Sequence, residues 1–148
     1  MTKRATSTVL GILTGATMQA STIRNGFWLA GLANIFGVLL FSKGFSSGAL
    51  SAYDPVVMSD FGLVMIIVWG LAYISIAKNA LRNRWIVGVF AIEKLIYVAV
   101  WLLWVTSNFG DLAAIYADDF LAGIFFSFYG LSDLVFAGFF LAVFRKAT

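Results

Sequence analysis

Histidine and cysteine are both missing, proline occurs once, and only 11% of the residues are charged. Without imidazole or thiolate the chain has no ordinary ligands for haem, zinc or an iron–sulfur cluster. Ser-His hydrolysis, histidine-rich di-iron chemistry and thiol–disulfide exchange are excluded with them. Neither a metal nor another cofactor is expected, and no disulfide can form. Soluble domains carry about a quarter charged residues, so the shortage of charge is itself a statement about the solvent.

What fills the space is apolar. Of 148 residues, 61% are hydrophobic and 17% aromatic, with a mean hydropathy of +0.95. One core of this size cannot hide so much apolar surface from water, and an integral membrane protein is expected. Four runs stand out, giving spans of about 27–45, 58–77, 85–106 and 119–144 within a domain of residues 26–148. A helix needs about 20 residues to cross roughly 30 Å of hydrocarbon. The runs are too long and too unalternating for barrel strands, and open strands would leave amides unpaired in lipid. The expected fold is an all-α integral membrane bundle of four transmembrane helices. Residues 1–25 are expected to form a short interfacial segment or tail. Thr8, Gly11, Thr14 and Gly15 break its apolar stretch, which argues against a cleaved signal.

Charge supplies the orientation. Lys3, Arg4 and Arg24 precede the first run, Lys78, Arg82 and Arg84 lie between the second and third, and Arg145 and Lys146 end the chain. The opposite loops hold Lys43 with Asp54 and Asp60, and then Asp111, Asp118 and Asp119. The positive-inside rule therefore puts both termini in the cytoplasm, with a bacterial inner (plasma) membrane as the expected site. The net charge of +3 reflects this sorting and not nucleic-acid binding. Ser59 or Asp60 is placed to cap the second run, and Asp118 or Asp119 the fourth. A cation site is a sharper reading of these outer acids, but no calcium-loop spacing accompanies them.

The informative residues are those at membrane depth. Asn34, Glu93, Lys94 and Asp133 lie inside spans, where ionisable groups are costly and face protein or water. At about 1.5 Å per residue they reach one layer, roughly 10–16 Å from the basic ends of their helices. Trp69 and Tyr73 come within about a turn of it. At 100° per residue, Phe90, Glu93, Lys94, Tyr97, Trp101 and Trp104 share the inward side of the third run, leaving Ala91, Leu95, Ala99 and Leu102 toward lipid. The Asp133 face carries Phe126, Tyr129, Gly130, Ala137 and Phe140. Phe27, Ala30, Gly31 and Phe41 accompany Asn34, and Gly62, Ile66, Trp69, Gly70 and Tyr73 align on the second run. Small residues on these faces let helices approach closely.

Neighbours in sequence do not face each other on a helix, so Lys94 is expected to pair with Asp133 and not with Glu93. The layer holds two carboxyls and one amine. Full ionisation would leave one uncompensated negative charge, so Glu93 is expected to be the neutral acid, bonded to Asn34 or a tyrosine hydroxyl. No catalytic motif is present: Gly130-Leu131-Ser132-Asp133 lacks the spacing of an intramembrane aspartyl protease, and Asp133 has no second membrane Asp. The expected function is non-enzymatic, either an accessory subunit or a binder of a small hydrophobic ligand at the buried polar layer. The alternative is a small proton-coupled transporter using the intramembrane carboxylates. Ligand-binding or proton-relay candidates are Asn34, Trp69, Tyr73, Glu93, Lys94, Tyr97, Trp101, Tyr129 and Asp133. The expected partners are the lipid bilayer and a second copy or a larger membrane complex, with no nucleic acid.

Overall fold

The structure is a computed structural model that describes residues 18–147. Among them the regular structure is entirely helical: α1 (Ala20–Phe41), α2 (Ala49–Tyr53), α3 (Asp60–Ile76), α4 (Arg84–Asn108), α5 (Leu112–Asp118) and α6 (Phe120–Lys146), with two short 3₁₀ turns. Three helices are long and apolar enough to cross a membrane, and α3, with 17 residues, is shorter. Of the tail expected over residues 1–25, residues 1–17 lie outside the described residues. The stretch from Ala20 is already helix, because Ile23 and Phe27 are buried in one apolar cluster with Ala77 and Ala80 and draw the polar residues between them into α1.

The helix ends follow local chemistry. α1 stops at Phe41, short of the expected 45, because Lys43, Gly44 and Phe45 all take positive φ of 52–65°. Left-handed backbone costs a non-glycine residue about 1–2 kcal/mol. The turn is held by Gly44 N–H donating to Leu39 O at 2.8 Å and by Phe45 N–H donating to Ser42 Oγ at 3.0 Å. Ser59 caps α3 by accepting from Gly62 N–H. Asp119 caps α6 by accepting from the amides of Leu121 and Ala122.

The long helices pack antiparallel. α4 lies along α6 and α1 along α3, the two most extensive pairings. Gly31 and Gly70 bring α1 and α3 into backbone contact: a Cβ on Gly31 would sit 2.5 Å from Gly70 O, and one on Gly70 2.7 Å from Gly31 O. On α6, Gly130 leaves room for the Trp101 ring.

Two apolar clusters form the core. One, at the basic end, is centred on Phe27, Tyr73, Phe90 and Phe140. The other, at the acidic end, is centred on Val38, Met58, Leu63 and Phe126 and is closed by Leu50 of α2 and Ile115 of α5. Helices of five and seven residues are too short to show periodicity, which is why the two caps α2 and α5 were not foreseen. The outer surface is apolar along every long helix: Leu29 and Phe36, Val68 and Leu71, Ile92 and Ile96, and Phe128 and Val135 are exposed. Such a surface suits hydrocarbon and not water. One wheel assignment is corrected. Ala91, expected toward lipid, is 1% exposed and belongs to the basic-end core. The packed partners cover a wider arc of α4 than one stripe, while Leu95, Ala99 and Leu102 do face outward.

The acidic end is stitched by side chains. Lys43 pairs with Asp119 at 2.7 Å, and Tyr53 donates to Asp118 at 2.7 Å. The bond from Lys43, helped by the Ala122 amide, holds the Asp119 carboxyl below the usual aspartate range. The bond to Asp118 pushes the Tyr53 hydroxyl up. Asp54 accepts from the amides of Val56 and Val57 around Pro55.

Candidate functional site

Between the two apolar clusters, α1, α3, α4 and α6 deliver polar groups to one layer. Lys94 on α4 is its centre and is 2% exposed. Its Nζ donates to Asp133 Oδ1 of α6 at 2.6 Å and to Asn34 Oδ1 of α1 at 3.0 Å. The Tyr73 and Tyr97 rings lie 5.5 and 5.9 Å away, inside the range at which an aromatic face attracts a cation. The amide nitrogen of Asn34 donates to Ile66 O of α3 at 3.1 Å. One asparagine thus ties the ammonium to the α1–α3 pair. An ammonium with two oxygen partners and two ring faces is compensated inside a core where a lone charge would be prohibitive.

Glu93, one residue earlier, points to a different neighbour. Its Oε2 accepts a hydrogen bond from the Tyr73 hydroxyl of α3. Its Oε1 is buried with no partner. The Tyr129 hydroxyl of α6 is also buried without one. Buried polar atoms are almost always hydrogen-bonded, so two orphans in one neighbourhood call for a physical account.

Both residues border one cavity. A space of about 270 Å³ lies between α1, α4 and α6, bordered by Asn34, Glu93, Lys94, Tyr97, Tyr129 and Asp133 at its polar end. Its walls are Val38, Phe41, Met58, Ile66, Phe125 and Phe128. It lies where α1 and α6 part between two contacts, Gly26 against Phe139 and Phe41 against Phe125. Exposed Ala33, Phe128 and Ser132 flank this gap, so the mouth faces sideways, between helices.

No protein family, curated protein or solved structure matches this chain.

Of the nine candidate residues, Asn34, Lys94 and Asp133 form one hydrogen-bonded group and Tyr73 with Glu93 a second, both in the same layer. Tyr97 and Tyr129 border the cavity beside it. Two stand apart. Trp69 packs edge-on against Phe90 in the basic-end core. Trp101 donates from Nε1 to Phe126 O at 2.8 Å and covers Gly130. Neither borders the cavity. Phe125, Phe128, Ser132, Ala33 and Gly37 border the cavity and were not singled out from the sequence. They lie off the faces aligned from the sequence, and only the parting of α1 and α6 turns them into a wall. Among the described residues no cluster of carboxylates is arranged to hold a metal ion.

Proposed function

We propose that this chain is a non-enzymatic membrane protein of four spans that binds a small hydrophobic ligand in the cavity between α1, α4 and α6. The observation that carries the reading is the cavity itself: apolar walls, a polar end with unmet hydrogen bonds, and a mouth between helices. Ligand pockets combine these features, a mostly apolar lining with a few polar groups that fix orientation. A sideways mouth suits a ligand that arrives from the bilayer.

Four spans require α3 to cross as well. Its 17 residues extend about 25 Å, and its outward Val64, Val68 and Leu71 are apolar and exposed. A slightly thinned bilayer or the adjoining turns accommodate the remainder at modest cost. With the bases at one end, both termini are cytoplasmic, and a bacterial inner membrane is the site these rules describe. Service as an accessory subunit, in a homo-oligomer or larger membrane complex, is compatible with binding.

The test is a plugged cavity. A Cβ on Gly37 meets no atom within 4 Å, so Gly37→Trp can enter the cavity without moving a helix. Native mass spectrometry of the purified protein is expected to show a retained small molecule that Gly37→Trp loses and the outward Leu134→Trp keeps. Equal retention by both variants would sink the reading. The transporter alternative is favoured by the unpartnered Glu93 Oε1 alone. It requires that Glu93→Gln stay folded but lose its pH-dependent flux between about pH 5 and 9, since an amide releases no proton.

A further inference from the structure

The charges of the layer do not balance. Lys94 is matched by Asp133 at 2.6 Å, and the amide oxygen of Asn34 fills a second donor position. Glu93 is left with one donor, the Tyr73 hydroxyl, and one bare oxygen. It is 6% exposed. Two carboxyls and one ammonium need one further positive charge to be neutral, and a buried site without it is costly. A proton on Glu93 is one such charge. A ligand cation is the other, and the cavity beside Glu93 is built for it. Tyr97, Phe125, Phe128 and Tyr129 give it aromatic faces, which attract cations as well as alkyl groups. The Tyr129 hydroxyl supplies a second unmet hydrogen-bonding atom on the α6 side.

Resting on the ligand-binding reading above, we infer that the cavity takes a small lipophilic ammonium, which pairs with the Glu93 carboxyl at its polar end and whose apolar body lies against Phe125 and Phe128. The exchange balances: neutral Glu93 plus the ammonium gives the carboxylate–ammonium pair and one released proton. The proton leaves and no covalent bond other than its O–H breaks. The groups facing Glu93 restrict the exchange to that residue. On α3 it faces Tyr73, which already donates to it. On α4 it adjoins Lys94, committed to Asp133, and Tyr97 one turn on. On α6 the charged neighbour is Asp133, already paired, and the remaining group is the neutral Tyr129. Anionic ligands are disfavoured by the same count, because Lys94 has no unspent charge to offer.

The experiment compares two probes of one shape, 2-phenylethylammonium and 2-phenylethanol, by titration calorimetry on the full chain in nanodiscs, in buffers of different ionisation enthalpy. The ammonium is expected to bind at least about tenfold more tightly than the alcohol at neutral pH, which is one charge-assisted contact in place of a neutral one. It should release about one proton per molecule bound, and its affinity should fall about tenfold per pH unit as the medium is made more acidic. Glu93→Gln, which keeps an acceptor for Tyr73, is expected to lose both the preference for the ammonium and the proton release. A helical circular-dichroism spectrum and a cooperative melt like those of the parent certify that the variant is folded. If both probes bind equally and no proton is released, ligand binding stands and the ammonium assignment is overturned. If Glu93→Gln keeps the preference, the assignment is likewise overturned. If neither probe binds, and Gly37→Trp retains the same co-purified material as the parent, the binding reading falls and takes this inference with it.

Discussion

Replacing Lys94 by Met removes the only buried positive charge among the described residues and leaves the side-chain volume nearly unchanged. The structure sets the size of the effect. At the 2.6 Å Nζ–Oδ1 separation, an effective dielectric of about 20 gives a gross attraction of about 6 kcal/mol. Desolvation of both groups cancels much of it, so the pair as a whole adds little net stability. Breaking it is another matter. The Lys94 side chain is 2% exposed and that of Asp133 13%, so either group left alone is a stranded buried charge at a cost of about 3–5 kcal/mol. Asp133→Leu should fall toward the lower end, because Asn34 Oδ1 remains on the ammonium at 3.0 Å. Lys94→Met should fall toward the upper end, because it leaves two carboxyls and no base in the layer. The double variant strands neither partner and should be milder than the sum of the singles by about 2–3 kcal/mol. The assay is a double-mutant cycle on thermal or denaturant unfolding in one detergent. Additive single effects would refute the reasoning, since a Lys94 that snorkels to the basic surface owes nothing to Asp133.

Close approach of α1 and α3 predicts that Gly31→Leu or Gly70→Leu costs at least about 2 kcal/mol, by forcing backbones apart, whereas Gly37→Leu stays within about 0.5 kcal/mol; equal melting temperatures for the three would contradict the packing. Reporter fusions after Arg82 and Arg145 should read cytoplasmic and those at Ser47 and Asp111 external, and a cytoplasmic signal at Asp111 would break the four-span topology. The Asp119 carboxyl is held low chiefly by Lys43, so its contribution is complete above the ordinary aspartate value of about 3.9 and is lost as pH falls through the lower folded value. The stability gap between the parent chain and Asp119→Asn should therefore be flat from about pH 5 to 7 and close below about pH 4, and a gap that persists in stronger acid would remove the Lys43 bond from the account.

The membrane character, the all-helical class and the polar layer were legible in the residue order, because each rests on one-dimensional regularity. Unbroken apolar runs report the solvent, and a 100° wheel reports which residues share a face. Counting along those helices brought Asn34, Glu93, Lys94 and Asp133 to one depth and set Asp133 opposite Lys94, since charge pairing leaves few choices among so few ionisable groups. The caps α2 and α5 lacked the length to show a period, and the burial of Ala91 depended on how far its neighbours wrap α4. The cavity was invisible for a related reason. Ala33, Gly37 and Phe128 lie off the faces aligned from the sequence, and it is the parting of α1 from α6 between the Gly26–Phe139 and Phe41–Phe125 contacts that leaves them bordering a space. Nor could the order of residues decide which tyrosine would meet Glu93. Tyr73, Tyr97 and Tyr129 all reach the layer in depth, and only the rotation of α3 against α4 gives the bond to Tyr73 and leaves the Tyr129 hydroxyl and Glu93 Oε1 buried and unmet. Depth and face follow from a single helix, whereas a cavity and an unmet hydrogen bond are properties of how several helices meet.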